Sequence, residues 1–118
     1  MADELAFNFF LNYSNDGTTI EFPFSFLSDV ASAPLVDVIQ TIATSATAVN
    51  IGSIATCGVM VIANLDTENY VKVRIGASGA DVVKVLPGEA WPFRLAASTP
   101  YAIADTASVN CRILLWSA

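Results

Sequence analysis

Histidine is absent from this chain. That removes Ser-His and Cys-His activation of a nucleophile, imidazole acid–base work and most zinc sites. Cysteine is scarce: Cys57 and Cys111 lie far apart and form no C-x-x-C pair, which argues against thiolate metal binding. With no export signal they read as two reduced thiols, Cys111 buried in its strand. Basic residues number five against eleven acids, for a net charge of −6. Phosphate neutralisation supplies most nucleic-acid affinity, so no nucleic-acid partner is expected. Charged types of both signs reach only 14% of 118 residues, beside 54% apolar types. A chain so apolar is not disordered, and part of its surface is expected to be polar-neutral or buried against something else.

Other absences narrow the function further. Gly76-Ala77-Ser78-Gly79-Ala80 lacks the Gly-Lys-Ser/Thr ending of a phosphate loop and reads as a hairpin loop. Asp66, Glu68 and Asp81 have no calcium-loop spacing. No enzyme motif occurs, so the expectation is a non-enzyme without cofactor or metal. The start, Met1-Ala2-Asp3-Glu4, is acidic where a signal peptide needs positive charge. The one long uncharged run, Val38 to Leu65, contains Gln40, Asn50, Asn64, Gly52 and Gly58 with no basic flank. It reads as buried strands and not as a membrane span.

What the chain does have is period-two alternation, and it is clearest between Gly58 and Ala96. Apolar runs at Gly58–Leu65, Tyr70–Ile75, Val82–Leu86 and Trp91–Leu95 are separated by turn-forming segments. Val71, Val73 and Ile75 share one face, opposite Tyr70, Lys72 and Arg74; Trp91, Phe93 and Leu95 share another. Such runs are half-buried strands. Pro87-Gly88 suits a tight reversal, proline presetting φ and glycine accepting positive φ. The spacing predicts an antiparallel core meander over 58–96, with Trp91 inside.

A second pair stands at the N-terminus, an aromatic hairpin over residues 4–27. Leu5, Phe7, Phe9, Leu11 and Tyr13 fall on one face of its first strand, and Ile20, Phe22, Phe24 and Phe26 on one face of its second. Asp16-Gly17 supplies the positive-φ turn. Pro23 cannot donate to a ladder and marks an edge strand or one with its free side bulged, while Phe10 points away from the other apolar residues. Further strands are expected at Val36–Thr44, Ala48–Ile51, Tyr101–Ala104 and Val109–Trp116. In the last, Val109, Cys111, Ile113 and Leu115 oppose Asn110, Arg112, Leu114 and Trp116. About nine or ten short strands and no helix make one all-β domain over 1–118, an antiparallel β-sandwich or jelly roll.

Charge is uneven along the chain: residues 1–71 carry eight acids and no base, whereas residues 72–118 carry five bases and three acids. A molecule polarised in this way would dock in one orientation. The candidate interface residues are Phe10, Pro23, Arg112, Leu114 and Trp116.

Several segments together resemble small structural proteins of tailed bacteriophages. They are Asn64-Leu65-Asp66, Asn69-Tyr70-Val71, Leu86-Pro87-Gly88-Glu89, Phe93-Arg94-Leu95-Ala96 and Tyr101-Ala102-Ile103-Ala104-Asp105-Thr106-Ala107. The similarity covers roughly Val36 to Trp116 and departs from the pattern at Cys111 and Trp116. It implies an all-β virion component assembled in the host cytoplasm. The type implied is a capsid decoration (cement) protein, a homotrimer seated on the major capsid protein of the head, with no catalytic residues. Two other readings stand beside it. One is a tail or head–tail connector component; the other is a carbohydrate-binding sandwich with Trp91, Tyr70 or Trp116 as stacking platform.

Overall fold

Ten strands and no helix account for the regular structure among the described residues, 4–96 and 99–117 of the computed structural model. They are β1 (Leu5–Asn15), β2 (Thr18–Ser28), β3 (Leu35–Ile42), β4 (Thr47–Ala48), β5 (Val59–Asn64), β6 (Val71–Ile75), β7 (Asp81–Val85), β8 (Ala90–Arg94), β9 (Pro100–Ala104) and β10 (Val109–Trp116). The chain divides into two compact units, one ending at Ala31 and the other running from Ser32 to Ser117. The sandwich belongs to the second unit, and the hairpin anticipated at 4–27 is a unit of its own, because β1 and β2 pair only with each other.

In the hairpin, Asp16 (φ 49°) and Gly17 (φ 80°) both take positive φ, the two-residue turn whose twist matches the flanking strands. The turn fixes the register: Tyr13 faces Ile20, Leu11 faces Phe22, Phe9 faces Phe24 and Phe7 faces Phe26. The Phe7 and Phe26 rings stack with centroids 4.7 Å apart. Phe10 and Pro23 face each other on the opposite side of the ribbon. Asn15 and Thr18 close the turn as a hydrogen-bonded pair, and such pairs alternate along an antiparallel ladder. By that alternation Phe10 and Pro23 form a non-hydrogen-bonded pair, so the N–H that proline lacks belongs to the outer edge.

The second unit holds two antiparallel four-stranded sheets. The front sheet has the order β3-β10-β5-β8 and the back sheet β4-β9-β6-β7. Consecutive strands alternate between the sheets except for the β6–β7 hairpin, which is the strand order of an eight-stranded jelly roll. This corrects the meander expected over 58–96. All four strands exist close to their expected bounds, but β5 pairs with β8 and β10, not with β6. Alternation shows which side of a strand is buried and not which strand lies beside it.

Inner faces from both sheets fill one core. Ile42, Met60, Ile62, Cys111, Ile113 and Leu115 from the front meet Val71, Val73, Val85 and Ala102 from the back, all without solvent exposure. Each large aliphatic side chain buried there contributes about 1.5–3 kcal/mol. In β10 the alternation is complete: Val109, Cys111, Ile113 and Leu115 are buried, and Asn110, Arg112, Leu114 and Trp116 point outward. Trp91 was expected inside; it is 48% exposed. Its strand β8 is an edge of the front sheet, and Trp91 lies beside the turn, where its indole N–H donates to Glu89 Oε1 at 3.2 Å. The same oxygen accepts from the Leu86 backbone N–H at 2.9 Å, across the Pro87-Gly88 reversal. That reversal forms as expected, with Gly88 at φ 79° and Glu89 N–H donating to Leu86 O at 3.0 Å. It carries the chain from the back sheet to the front.

One buried polar side chain ties this corner together. Asn64, 2% exposed, donates to Asn69 O (2.9 Å) and Val85 O (3.1 Å) and accepts from Asp66 N–H (2.8 Å). Its backbone N–H donates to Glu89 O and its carbonyl accepts from Gly88 N–H. Asp66 Oδ2 in turn accepts from the Asn69 and Glu68 N–H groups at 2.7 and 3.2 Å. Three segments, 64–66, 69–71 and 86–89, meet here.

This packing makes three outcomes testable. Asn64→Ala leaves two carbonyls and an N–H without their partner and should lower unfolding stability by about 3 kcal/mol, read from urea midpoints. The Cys111 thiol is pushed up to about 11, first by burial and then by the Asp66 carboxylate. A thiol raised in the folded state gives stability that is complete below its unfolded value of 9.0 and lost as pH rises towards the folded one. The urea midpoint should therefore fall between those values, and fall less for Cys111→Val. Both buried thiols should react with a thiol reagent only on unfolding.

Candidate docking surfaces

With the inner faces consumed by the core, binding chemistry lies on the outer faces, and the two sheets differ sharply there. On the front sheet the ladder registers set the outward side chains in rows. Leu35, Trp116, Val59 (itself buried) and Arg94 make one row; Asp37, Leu114, Val61 and Pro92 the next; Ile39, Arg112, Ala63 and Ala90 a third. Leu35 is 58% and Ile39 67% exposed, while Leu114, Trp116, Val61 and Pro92 are half-buried among their neighbours. Two formal charges interrupt the middle of this apolar face, and they satisfy each other. Arg112 forks Asp37, Nε donating to Oδ1 and Nη2 to Oδ2, both at 2.9 Å. The guanidinium's hydrogen bonds hold the Asp37 carboxyl below its ordinary value. A paired fork of this kind is compatible with burial against a partner, since its planar donors are already matched.

The back sheet shows solvent a different chemistry. Lys72 and Arg74 project from β6, Tyr70 stands just before it on the same side, and Lys84 projects from β7, as the alternation predicts. Arg74 pairs with Asp81 at 2.7 Å and Lys72 reaches the same carboxylate at 3.7 Å. The Lys84 ammonium sits 4.2 Å from the centre of the Tyr70 ring and that of Lys72 5.6 Å. An open depression lined by Thr44, Tyr70, Arg74, Ile103 and Asp105 lies on this face. Its cations are already engaged by Asp81 and by the aromatic ring. Asp66, one of the carboxylates weighed for calcium, is spent on its own loop, and Asp81 on Arg74.

Of the residues singled out from sequence, Arg112, Leu114 and Trp116 come together on the front face. Phe10 and Pro23 belong to the hairpin unit, both exposed on the side away from its aromatic rows. Leu35, Ile39, Val61 and Pro92 complete the front face and were not singled out. Ile39 carried a legible signal, an isoleucine on the face opposite Val36, Val38 and Ile42. The charge split along the chain does not survive intact. Arg112 from the late half pairs with Asp37 from the early half, and the five bases are shared between both outer faces. Val38–Leu65 resolves into part of β3, β4 and β5, and no helix among the described residues is long and apolar enough to cross a membrane.

Asp37 and Asp66 both have folded values lowered, Asp37 chiefly by hydrogen bonds from Arg112 and Asp66 chiefly by the Asn69 N–H. A lowered carboxyl contributes stability that is complete above its unfolded value and lost as pH falls through the folded one. The urea midpoint should thus hold from neutrality to about pH 4 and drop below it. Asp66→Asn, which keeps the acceptor oxygen but not the titration, should flatten that drop.

Comparison with protein-family models, with curated proteins and with solved structures gave no match, so the surfaces themselves are the ground for a functional reading.

Proposed function

We propose that this chain is a structural subunit of a bacteriophage virion, a decoration protein that seats on the outer surface of the head and stiffens the shell. The observation that carries the reading is the front face: a four-stranded lattice with Leu35 and Ile39 exposed and Leu114 and Trp116 half-buried beside them, around one internally matched ion pair. Monomeric proteins rarely expose a contiguous apolar face of this kind without a partner. Trp and Arg are the side-chain types that dominate binding energy at interface centres. The resemblance of residues 36–116 to phage structural proteins supplies the partner class, the major capsid protein. In mechanical terms each copy bridges neighbouring capsid subunits, and many copies sum small contact energies against internal DNA pressure. Nothing in this role needs a catalytic group, a metal or a cofactor.

The test adds purified protein to mature heads that lack it and measures bound copies and rupture temperature. The expected result is stoichiometric coating, a raised rupture temperature and binding that persists at 1 M salt, where the Debye length falls to about 3 Å. Ile39→Asp should abolish coating while leaving the thermal unfolding of the free chain nearly unchanged. Binding confined to the portal vertex or tail would replace this reading with the connector one. Coating without a rise in rupture temperature would overturn the stiffening role. A second reading rests on Trp91, whose exposed indole stands beside the Glu89 carboxylate as a sugar-stacking platform would. Glycan-array binding lost in Trp91→Ala would favour it.

A further inference from the structure

We infer that the aromatic face of the β1–β2 hairpin is the surface through which copies of this chain associate with one another. The ribbon is 11 residues long on each strand, or about 36 Å at ~3.3 Å per residue. One side of it is a double row of large apolar side chains in register, and from Phe9 to Phe26 those side chains are 39–59% exposed. No charged residue lies on that side: Asp16 is in the turn, and Glu21 pairs with Asn12 on the other face. A two-stranded ribbon without a covered face is at best marginally stable in water. Its cover must therefore be present when the chain folds, before any larger particle is met. Another copy of the same chain is the partner that meets this condition.

Geometry favours face-to-face contact over extension of the ribbon's edge. Pro23 sits in the middle of β2 and, by the ladder alternation, removes a donor from its free edge. The face is nearly self-complementary, since Phe7, Phe9 and Leu11 on one strand stand opposite Phe26, Phe24 and Phe22 on the other. A second ribbon laid on it meets rings with rings in either orientation. The exposed part of the double row amounts to roughly 600 Å² per copy if a full aromatic side chain is taken as about 200 Å². Two such faces bury about 1,200 Å² in total, the lower bound for a specific, stable interface. Self-association is a property of the free chain and is tested without shells, so it stands or fails separately from the shell-binding role.

Light scattering or sedimentation of the full chain at micromolar concentration should give an oligomer. Phe24→Asp should raise its dissociation constant by roughly 100-fold or more, because a charge is then buried in the contact. Phe10→Asp, on the opposite face of the same ribbon, and Ile39→Asp, on the front sheet, should leave the oligomer intact. Residues 1–31 carry five acids and no base, so like charges meet and added salt should tighten the association. Hydrogen exchange of the unmodified protein gives a readout free of any folding defect in the variants: protection of β1 and β2 should rise with protein concentration while that of β3 and β10 stays constant. A monomeric wild-type chain, an unaffected Phe24→Asp oligomer, or concentration-dependent protection in β3 and β10 in place of the hairpin would overturn the inference.

Discussion

The corner held by Asn64 is the constraint on which the sandwich depends. A jelly roll must pass its chain from one sheet to the other repeatedly, and apolar packing alone does not say where. Asn64 is buried with every side-chain hydrogen-bonding group engaged, to the entry of β6, the end of β7 and the loop that follows β5. Its backbone is locked to the Pro87-Gly88 reversal as well. A buried amide whose partners come from three segments is satisfied in one arrangement of those segments and in few others, since each alternative leaves a desolvated donor or acceptor. The corner therefore fixes how the end of β5, the entry of β6 and the β7–β8 reversal meet.

Given that topology, the core makes no demand on the outer faces, and their difference calls for another cause. The back face carries the lysines, an arginine and Tyr70, with each cation matched by Asp81 or by the ring. This is what a solvated sheet surface needs. The front face places Leu35 and Ile39 in the open and Leu114 and Trp116 half-buried beside them, all outside the core between the sheets. Scattered exposed apolar residues are ordinary, but a contiguous lattice of them is not. The Asp37–Arg112 fork fits this reading, because a charge pair already matched within the sheet costs less to cover than two separate ions.

The hairpin unit shows the same economy in a simpler form. Its turn sets the register, the register aligns the rings, and the alignment leaves a whole face without a partner inside the unit. Local chemistry accounts for its shape entirely; it does not account for why such a face would be kept in water.

How much was legible beforehand follows from the range of each interaction. The turns at Asp16-Gly17 and Pro87-Gly88, the inward set of β10 and the two-faced character of β1, β2, β3 and β6 were readable, because φ preference and side-chain alternation belong to a residue and its immediate neighbours. Three of the candidate interface residues, Arg112, Leu114 and Trp116, were readable as outward-facing for the same reason. The pairing of β5 with β8 and β10, the exposure of Trp91, the joining of Leu35 and Ile39 to Leu114, and the central place of Asn64 were not. Each depends on which strand lies beside which, and that is decided by contacts between residues far apart in sequence, whose free energy appears only once the two sheets have closed on a common core. The sequence by itself determined the faces of the strands; the tertiary structure alone decided their neighbours, and with them the surface offered to a partner.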